Sequence, residues 1–278
     1  MINLAIGLSK NQWRFNKMTK ILNGRELAGF IKERQFGQVA AMQQKPHLLI
    51  LRDSENPVIK KYVNLKKQYG QDIGVAVTDH LAETASPDRE ILRANNDPSI
   101  NGIIIQLPLK DKSKTDELCN LISPDKDVDG LGANAKYDSA TATAILWRLA
   151  GYDIPLKNQK IALVGRGKLV GAPLFRILQS SGHQVELFHR GSDLTKLKQY
   201  DIIITATGQP GLITSSMLKP GASIIDAGTA SENGVLKGDL EDEARSRQDL
   251  TAITPKSGGV GPLTISCLFD HVITSASR

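Results

Sequence analysis

Cysteine is scarce in this chain of 278 residues: there are two, Cys119 and Cys267. Two cysteines so far apart build no disulfide framework, and without a CxxC pair they supply no structural zinc site. They read as small buried residues of a protein kept in a reducing compartment, and the cytoplasm is the expected location. Aromatic residues are few as well, 5% of the chain, and no basic stretch is interleaved with them. Lysine and arginine are spread among acids, so the net charge of +6 does not form the footprint of a nucleic-acid binder. An anionic small ligand is the remaining reason for it. No apolar run reaches the ~18–20 residues of a membrane-spanning helix, so neither nucleic acid nor membrane is an expected partner. Glycine and proline, 24 and 12 residues, are too ordinary for a collagen-like or low-complexity chain.

The length suggests two domains with ample core. Residues 1–17 stand apart: they hold Trp13, Arg14 and Lys17 but no acid. The apolar stretch Ile2–Leu8 is shorter than a usual signal h-region and has no basic n-region before it. This segment is read as an extension ahead of the fold, disordered or mis-started with Met18 as the start; organelle targeting is the alternative.

From Met18 onward strand-like and helix-like segments alternate. His47–Leu51, Ile73–Val77 and Gly102–Gln106 read as apolar strands. Between and after them helices are expected from Pro57 to about Tyr69, stopped by Gly70, then over Asp88–Asn95 and Lys114–Ile122. Strand–helix units with apolar strands imply a parallel sheet covered on both faces, a three-layer α/β domain. A helix over Thr141–Ala150 leads into a second series. Its strands are Lys160–Val164, Gln184–Phe188, Asp201–Thr205, Ser223–Asp226 and Ala252–Thr254, a doubly wound, Rossmann-type pattern. Leu263–Ser277 reads as a helix returning to the first domain. The expected partition is 18–138 plus 263–278 for the first domain and 139–262 for the second.

Gly165-Arg-Gly-Lys-Leu-Val-Gly171 follows a strand and opens a helix, as a dinucleotide-binding turn must. Glycines let the backbone approach a pyrophosphate, and the helix N-terminus offers free N–H groups. The spacing is GxGxxxG, so an ordinary strand-to-helix turn is the alternative on these residues alone. The next strand ends in Phe188-His-Arg-Gly-Ser192, where an NAD site would carry an acid for the ribose hydroxyls. Arg190, with Arg166, instead suits a 2′-phosphate, so NADP is the expected cofactor and NAD the alternative.

Tyr62 and Lys66 lie four apart on a predicted helix and share one face. Taken alone they fit a solvated basic helix, since Lys60, Lys61 and Lys67 are neighbours. They gain meaning from the ordered set that follows. It contains Gly102-Ile-Ile-Ile-Gln-Leu-Pro-Leu109, Pro124-Asp-Lys-Asp-Val-Asp-Gly130, the glycine turn, Gly221-Ala-x-Ile-Ile-Asp-x-Gly228 and Ile253-Thr-Pro-x2-Gly-Gly-Val-Gly-Pro-Leu-Thr264. This set closely resembles the bifunctional methylenetetrahydrofolate dehydrogenase/cyclohydrolase (FolD-type) family, from about Lys20-Ile-Leu-Asn-Gly24 to the C-terminus.

The resemblance implies two reactions of one-carbon metabolism. One oxidises 5,10-methylene-tetrahydrofolate to 5,10-methenyl-tetrahydrofolate with NADP; the other hydrolyses the product to 10-formyl-tetrahydrofolate. Lys66 would be the catalytic lysine of the hydrolysis, with Gln106 hydrogen-bonded near it and Tyr62 stacked on the folate ring. Asp129 would hold the pterin nitrogens through parallel N–H bonds. Gly259 and Pro262 would border folate and nicotinamide, and Gly165, Arg166, Gly167, Arg190, Gly228 and Thr229 the cofactor. No metal is implied, tetrahydrofolate derivatives are the small-molecule partners, and a homodimer through the nucleotide-binding domains is expected. The chain departs from the family pattern at Ala140-Thr-Ala-Thr-Ala144, where a Cys-Thr-Pro-x-Gly turn is usual. It also departs at Ile59, Gln68, Gly167, Arg190 and Lys256-Ser257. A non-catalytic or monofunctional paralogue that binds folate or nucleotide is the alternative function.

Overall fold

In the computed structural model, which describes residues 19–82, 87–232 and 235–278, two parallel sheets carry most of the strands. Residues 1–17, read above as an extension, lie outside the described residues. The first half runs β1 (Lys20–Ile21), α1 (Gly24–Ala40), β2 (His47–Arg52), α2 (Pro57–Ile73), β3 (Ala76–Leu81), α3 (Pro87–Asn96), β4 (Gly102–Ile105) and α4 (Thr115–Leu121). After α5 (Ala140–Gly151) come β5 (Ile161–Val164), α6 (Gly171–Ser180), β6 (Val185–Phe188), β7 (Ile202–Thr205) and β8 (Ser223–Asp226). A small antiparallel hairpin, β9 (Ala230–Glu232) and β10 (Val235–Lys237), precedes α7 (Asp242–Arg245), β11 (Ala252–Ile253) and α8 (Gly261–Ala276).

The first sheet has the order β3-β2-β4, all parallel. Successive side chains of a strand face opposite ways, and both sides of β2 and β4 are apolar. Leu48, Ile50 and Ile104 therefore join the core under α1, α2 and α8. Leu49, Leu51, Ile103 and Ile105 join a second core with Ile91 of α3 and Leu118 of α4. This is the three-layer arrangement the apolar runs imply.

The second sheet has the order β1-β11-β8-β7-β5-β6, again parallel throughout. The first strand after α5, β5, lies between β6 and β7, so the chain reverses its winding direction at β5/β7. Open α/β sheets bind ligands outside the carboxyl ends of their strands at such a point. The strand Lys20–Ile21, which precedes the first sheet in the chain, pairs with β11 at the far edge of the second. The terminal helix α8 returns to the first sheet as expected, packing on α1 and α5 and reaching β2 and β4.

Several elements differ from expectation. Helix α2 does not stop at Gly70 but runs to Ile73 and ends at Gly74, whose φ of 84° is the left-handed cap conformation. Gly70 is a packing glycine: it is buried, and a Cβ there would run into Val77 and crowd the Phe269 ring. The strand expected at Ile73–Val77 consequently starts three residues later, at Ala76, opposite His47. Helix α1 escapes the sequence reading because its outward face carries Phe30 and Phe36, both exposed, which blurs the apolar period.

Candidate active site and nucleotide cleft

Lys66 owes its place to the start of α2. The Asn56 side chain accepts from Val58 N at 2.8 Å, and Pro57 supplies a helical φ in the first turn. Ile59, Val63 and Ile73 bury one face, which leaves Tyr62 and Lys66 on its flank, both half-buried. Gln106 follows β4, and its backbone N–H donates to Leu51 O at 2.7 Å. Its amide Nε2 donates to Leu107 O at 3.0 Å, so Oε1 faces the other way and accepts from Lys66 Nζ at 2.8 Å. A neutral acceptor does little to compensate a buried ammonium. Burial accordingly lowers the Lys66 pKa, while the Asp129 carboxylate opposes the shift. Burial also raises the Tyr62 phenol.

The two aspartates of the Asp127-Val-Asp129 run do different work. Asp127 is buried and accepts from the backbone N–H groups of Gly130 at 3.0 Å and Gly132 at 2.7 Å, closing the loop on itself. Val128 is fully buried, and His271 Nδ1 of α8 donates to its carbonyl at 2.8 Å. Ile103 and Asp127 form a bridge beside β4, so the loop is clamped to the sheet. Asp129, two residues on, is left to face Lys66. Burial raises its carboxyl to about 6, with the Lys66 charge opposing and the Asp127 charge adding. An acid whose pKa is raised beside a base whose pKa is lowered is an arrangement suited to moving protons.

The nucleotide-side residues form a second group, at the carboxyl edge of the second sheet. Gly165 follows β5 with φ 105°, and a Cβ there would press on Ala206 O at 2.6 Å. A Cβ on Gly171, the first residue of α6, would overlap the Gly165 carbonyl oxygen. Both must be glycine for the turn to close. At Gly167 a Cβ would meet nothing within 4 Å, so the turn is open on its outer side. The exposed Arg166 stands beside Gly167, and α6 starts four residues further on, its Ala172 N donating to Gly167 O at 3.1 Å. Arg190 is exposed on the turn after β6, where His189 N donates to Ser192 Oγ at 3.0 Å. Gly228 and Thr229 follow β8; Gly228 N donates to Asp226 Oδ1 at 3.0 Å, and no Cβ fits against Asp239. The cradle fits a dinucleotide phosphate, and the two arginines fit its anionic end.

Gly259 and Pro262 belong to neither group by direct hydrogen bonding. Gly259 lies in the turn before α8 and Pro262 in the first turn of α8. The turn is tied to α1, where Gly24 N donates to Gly258 O at 2.9 Å and Arg25 Nη2 to Ser257 Oγ at 3.1 Å, and to α5, where Arg148 Nη2 donates to Gly259 O. The link to Lys66 runs through α8. Ser266 Oγ donates to Pro262 O at 3.2 Å and accepts from Tyr69 Oη at 3.1 Å, one turn beyond Lys66 on α2. His271 and the fully buried Arg148 of α5 are contributors the sequence reading passes over. Arg148 alone had a local signal, a single charge inside the apolar helix Ala140–Gly151.

Comparison with known proteins identifies the family. The model of the tetrahydrofolate dehydrogenase/cyclohydrolase catalytic domain matches residues 22–129, and that of its NAD(P)-binding domain matches residues 139–278. A bifunctional protein FolD of Staphylococcus aureus (strain MRSA252) is 34% identical over 275 residues, covering 92% of this chain and 96% of its own. The crystal structure of a bifunctional FolD enzyme from Campylobacter jejuni superposes with a TM-score of 0.87 at 29% identity, covering 93% of this chain and 99% of that one. The methylenetetrahydrofolate dehydrogenase-cyclohydrolase of Trypanosoma brucei, complexed with NADP and an inhibitor, has a TM-score of 0.86 at 27% identity, covering 94% and 98%. The chain belongs to the tetrahydrofolate dehydrogenase/cyclohydrolase family.

Proposed function

We propose that Lys66, Gln106, Tyr62 and Asp129 carry both folate reactions of this enzyme in one cleft. The enzyme oxidises 5,10-methylene-tetrahydrofolate to 5,10-methenyl-tetrahydrofolate with NADP and hydrolyses the product to 10-formyl-tetrahydrofolate. The observation that carries the assignment is the Lys66 Nζ to Gln106 Oε1 bond of 2.8 Å beside a carboxylate whose pKa burial raises to about 6.

In the oxidation the protein's task is orientation. NADP, when bound, accepts the hydride from the one-carbon bridge of the folate. Gly165, Arg166, Gly167, Arg190, Gly228 and Thr229 would hold it at the carboxyl edge of the second sheet. Asp129 would take two N–H bonds from the pterin and so fix the ring, and Tyr62 would supply a face for it to stack on. In the hydrolysis water adds to the methenyl carbon and the ring opens. Lys66, with its lowered pKa, would accept a proton from that water and return one to the departing ring nitrogen. Gln106 would hold the amine in place without adding a charge.

The folate part is proposed to comprise residues 22–138 with α8, and the cofactor part residues 139–260 with β1. A homodimer formed through the cofactor part is supported by β6, an edge strand whose outer side pairs with no strand among the described residues. A cytoplasmic location is supported by two free, buried cysteines, the Cys119 thiol being pushed up to about 11 by burial. No helix among the described residues is long and apolar enough to cross a membrane.

An absorbance assay tests the reading. With methylene-tetrahydrofolate and NADP the wild type should produce reduced cofactor, and it should consume added methenyl-tetrahydrofolate. Absence of both activities in folded protein would remove the catalytic reading of Lys66 and its neighbours.

A further inference from the structure

Among the described residues Arg148 is the largest fully buried side chain, and no carboxylate acts on it. Its Nε and Nη1 have no hydrogen-bond partner. Its one bond runs from Nη2 to the carbonyl oxygen of Gly259. A buried guanidinium in this state carries a large desolvation cost, and an apolar side chain of similar length would pack among Ala144, Ile145 and Leu149 of the same helix without it. The side chain is therefore explained by its single bond or by nothing on its own helix.

That bond sits in a constructed place. Three consecutive residues of the turn are tied on their inner side: Ser257 by Arg25, Gly258 by the Gly24 N–H, and Gly259 by Arg148. A Cβ on Gly24 would overlap both Arg148 Nη2 and the Gly259 oxygen, so the first residue of α1 has no side chain where this contact passes. The outer side is open, since a Cβ at Gly259 or Gly261 would meet nothing within 4 Å. Among the described residues the only cis peptide is Leu107–Pro108, so the Gly259–Val260 peptide is trans. In a trans peptide the carbonyl and the following N–H point in opposite directions. With the Gly259 oxygen turned inward to Arg148, the Val260 N–H is turned outward, and it makes no backbone hydrogen bond among the described residues. Next to it stands the unbonded start of the 16-residue helix α8.

We infer that Arg148 is a positioning residue for hydride transfer: it locks the Gly259–Val260 peptide so that the Val260 N–H faces the junction of folate and nicotinamide. The inference rests on the reading that Gly259 and Pro262 border both molecules. Hydride transfer needs the two rings held relative to each other, whereas hydrolysis of methenyl-tetrahydrofolate needs Lys66 and the folate alone. The two activities should separate when the lock is removed.

The test is steady-state kinetics of both reactions on full-length protein. Arg148→Met should lower dehydrogenase kcat by about tenfold or more, the scale of a small misplacement of reacting groups, while hydrolysis stays within about threefold of wild type. Arg148→Lys keeps a donor of similar reach and should recover most of the loss. Should Arg148→Met fail to fold, Gly24→Ala approaches the same contact from α1 and should give the same split. Unchanged dehydrogenase kcat, a parallel fall of both activities, or a lysine variant no better than the methionine variant would overturn the proposal. Gly261→Val places a side chain in the open space and reports on the underlying reading. If it leaves the dehydrogenase intact, the turn does not border the substrates. If it damages the dehydrogenase while Arg148→Met does not, only the role of Arg148 falls.

Discussion

The two halves of the candidate site are built on opposite physical plans. On the cofactor side the working parts are backbone: a glycine turn within seven residues, a helix N-terminus, and exposed arginines whose charges stay in water. On the folate side they are side chains withdrawn from water, brought together from three separate segments; Lys66 and Gln106 are 40 residues apart. The first plan makes a generic anion cradle at little desolvation cost. The second places an amine and a carboxylate where burial pulls both toward neutrality, which proton transfer requires and stability does not.

Substitutions can break that contrast, beginning with the amine. Lys66→Met should cut methenyl-tetrahydrofolate hydrolysis by about 10²–10⁴-fold, the usual worth of a positioned acid–base group, while the dehydrogenase survives at least in part. Hydrolysis at the wild-type rate in that variant, measured by loss of methenyl absorbance, would remove Lys66 from the chemistry. Asp129→Ala should weaken folate binding by about 2–5 kcal/mol, because it leaves the pterin's N–H donors unpaired at a buried site. Calorimetry should show NADP affinity hardly altered; an unchanged folate Kd would place Asp129 outside the site.

The cofactor side predicts the converse pattern. Gly171→Ala forces a Cβ into the Gly165 carbonyl and should displace the turn. A shift of about 1 Å at a bound reactant costs on the order of 10²-fold in dehydrogenase turnover, with hydrolysis spared. Gly167→Ala meets no protein atom within 4 Å, so it should leave the turn in place and act only through NADP binding, with hydrolysis unchanged. Arg190→Ala should raise the NADP Kd only about three- to tenfold, since an exposed ion pair is screened, and leave NAD almost untouched. Equal losses for both cofactors in a titration would remove the 2′-phosphate assignment.

The smallest effect is a pH effect, and its sign follows from burial. The Asp129 carboxyl rises from 3.8 to about 6 in the folded protein. A group whose folded pKa lies above its unfolded one favours the fold while protonated. Its contribution is lost as pH climbs through that interval. Asp129→Asn should therefore raise the melting temperature above pH about 6 and change little near pH about 4. The same substitution removes the anion that supports the Lys66 charge, so the lysine-dependent limb of the hydrolysis profile should move to lower pH. A limb that stays fixed would show that the two groups are not coupled.

How far the sequence revealed these parts follows the same division. The glycine turn was legible because its determinants are contiguous: a strand, three glycines and a helix start. Lys66 and Tyr62, read on their own residues, fitted a solvated basic helix. Only their company with the Gln106 and Asp129 segments gave them a role. The division of labour between Asp127 and Asp129 was not legible, since both carry the same carboxylate two residues apart. It becomes visible when the N–H groups of Gly130 and Gly132 are seen to converge on the first and leave the second unused. Gly70 misled for a related reason. A glycine in a helical pattern can end the helix or admit a neighbour, and only the approach of Val77 and Phe269 distinguishes the two.

The sequence by itself determined the two parallel sheets, the order of the strand–helix units, the dinucleotide turn and the family. Each of these rests on local periodicity or on a run of residues read together. The tertiary structure decided the rest: β1 joining the distant sheet, the pairing of Lys66 with Gln106, the burial that pulls Asp129 and Lys66 toward neutrality, and the locking of Gly259 by Arg148. These depend on which surfaces exclude water from one another. Desolvation is a property of the assembled neighbourhood, and no single segment carries it.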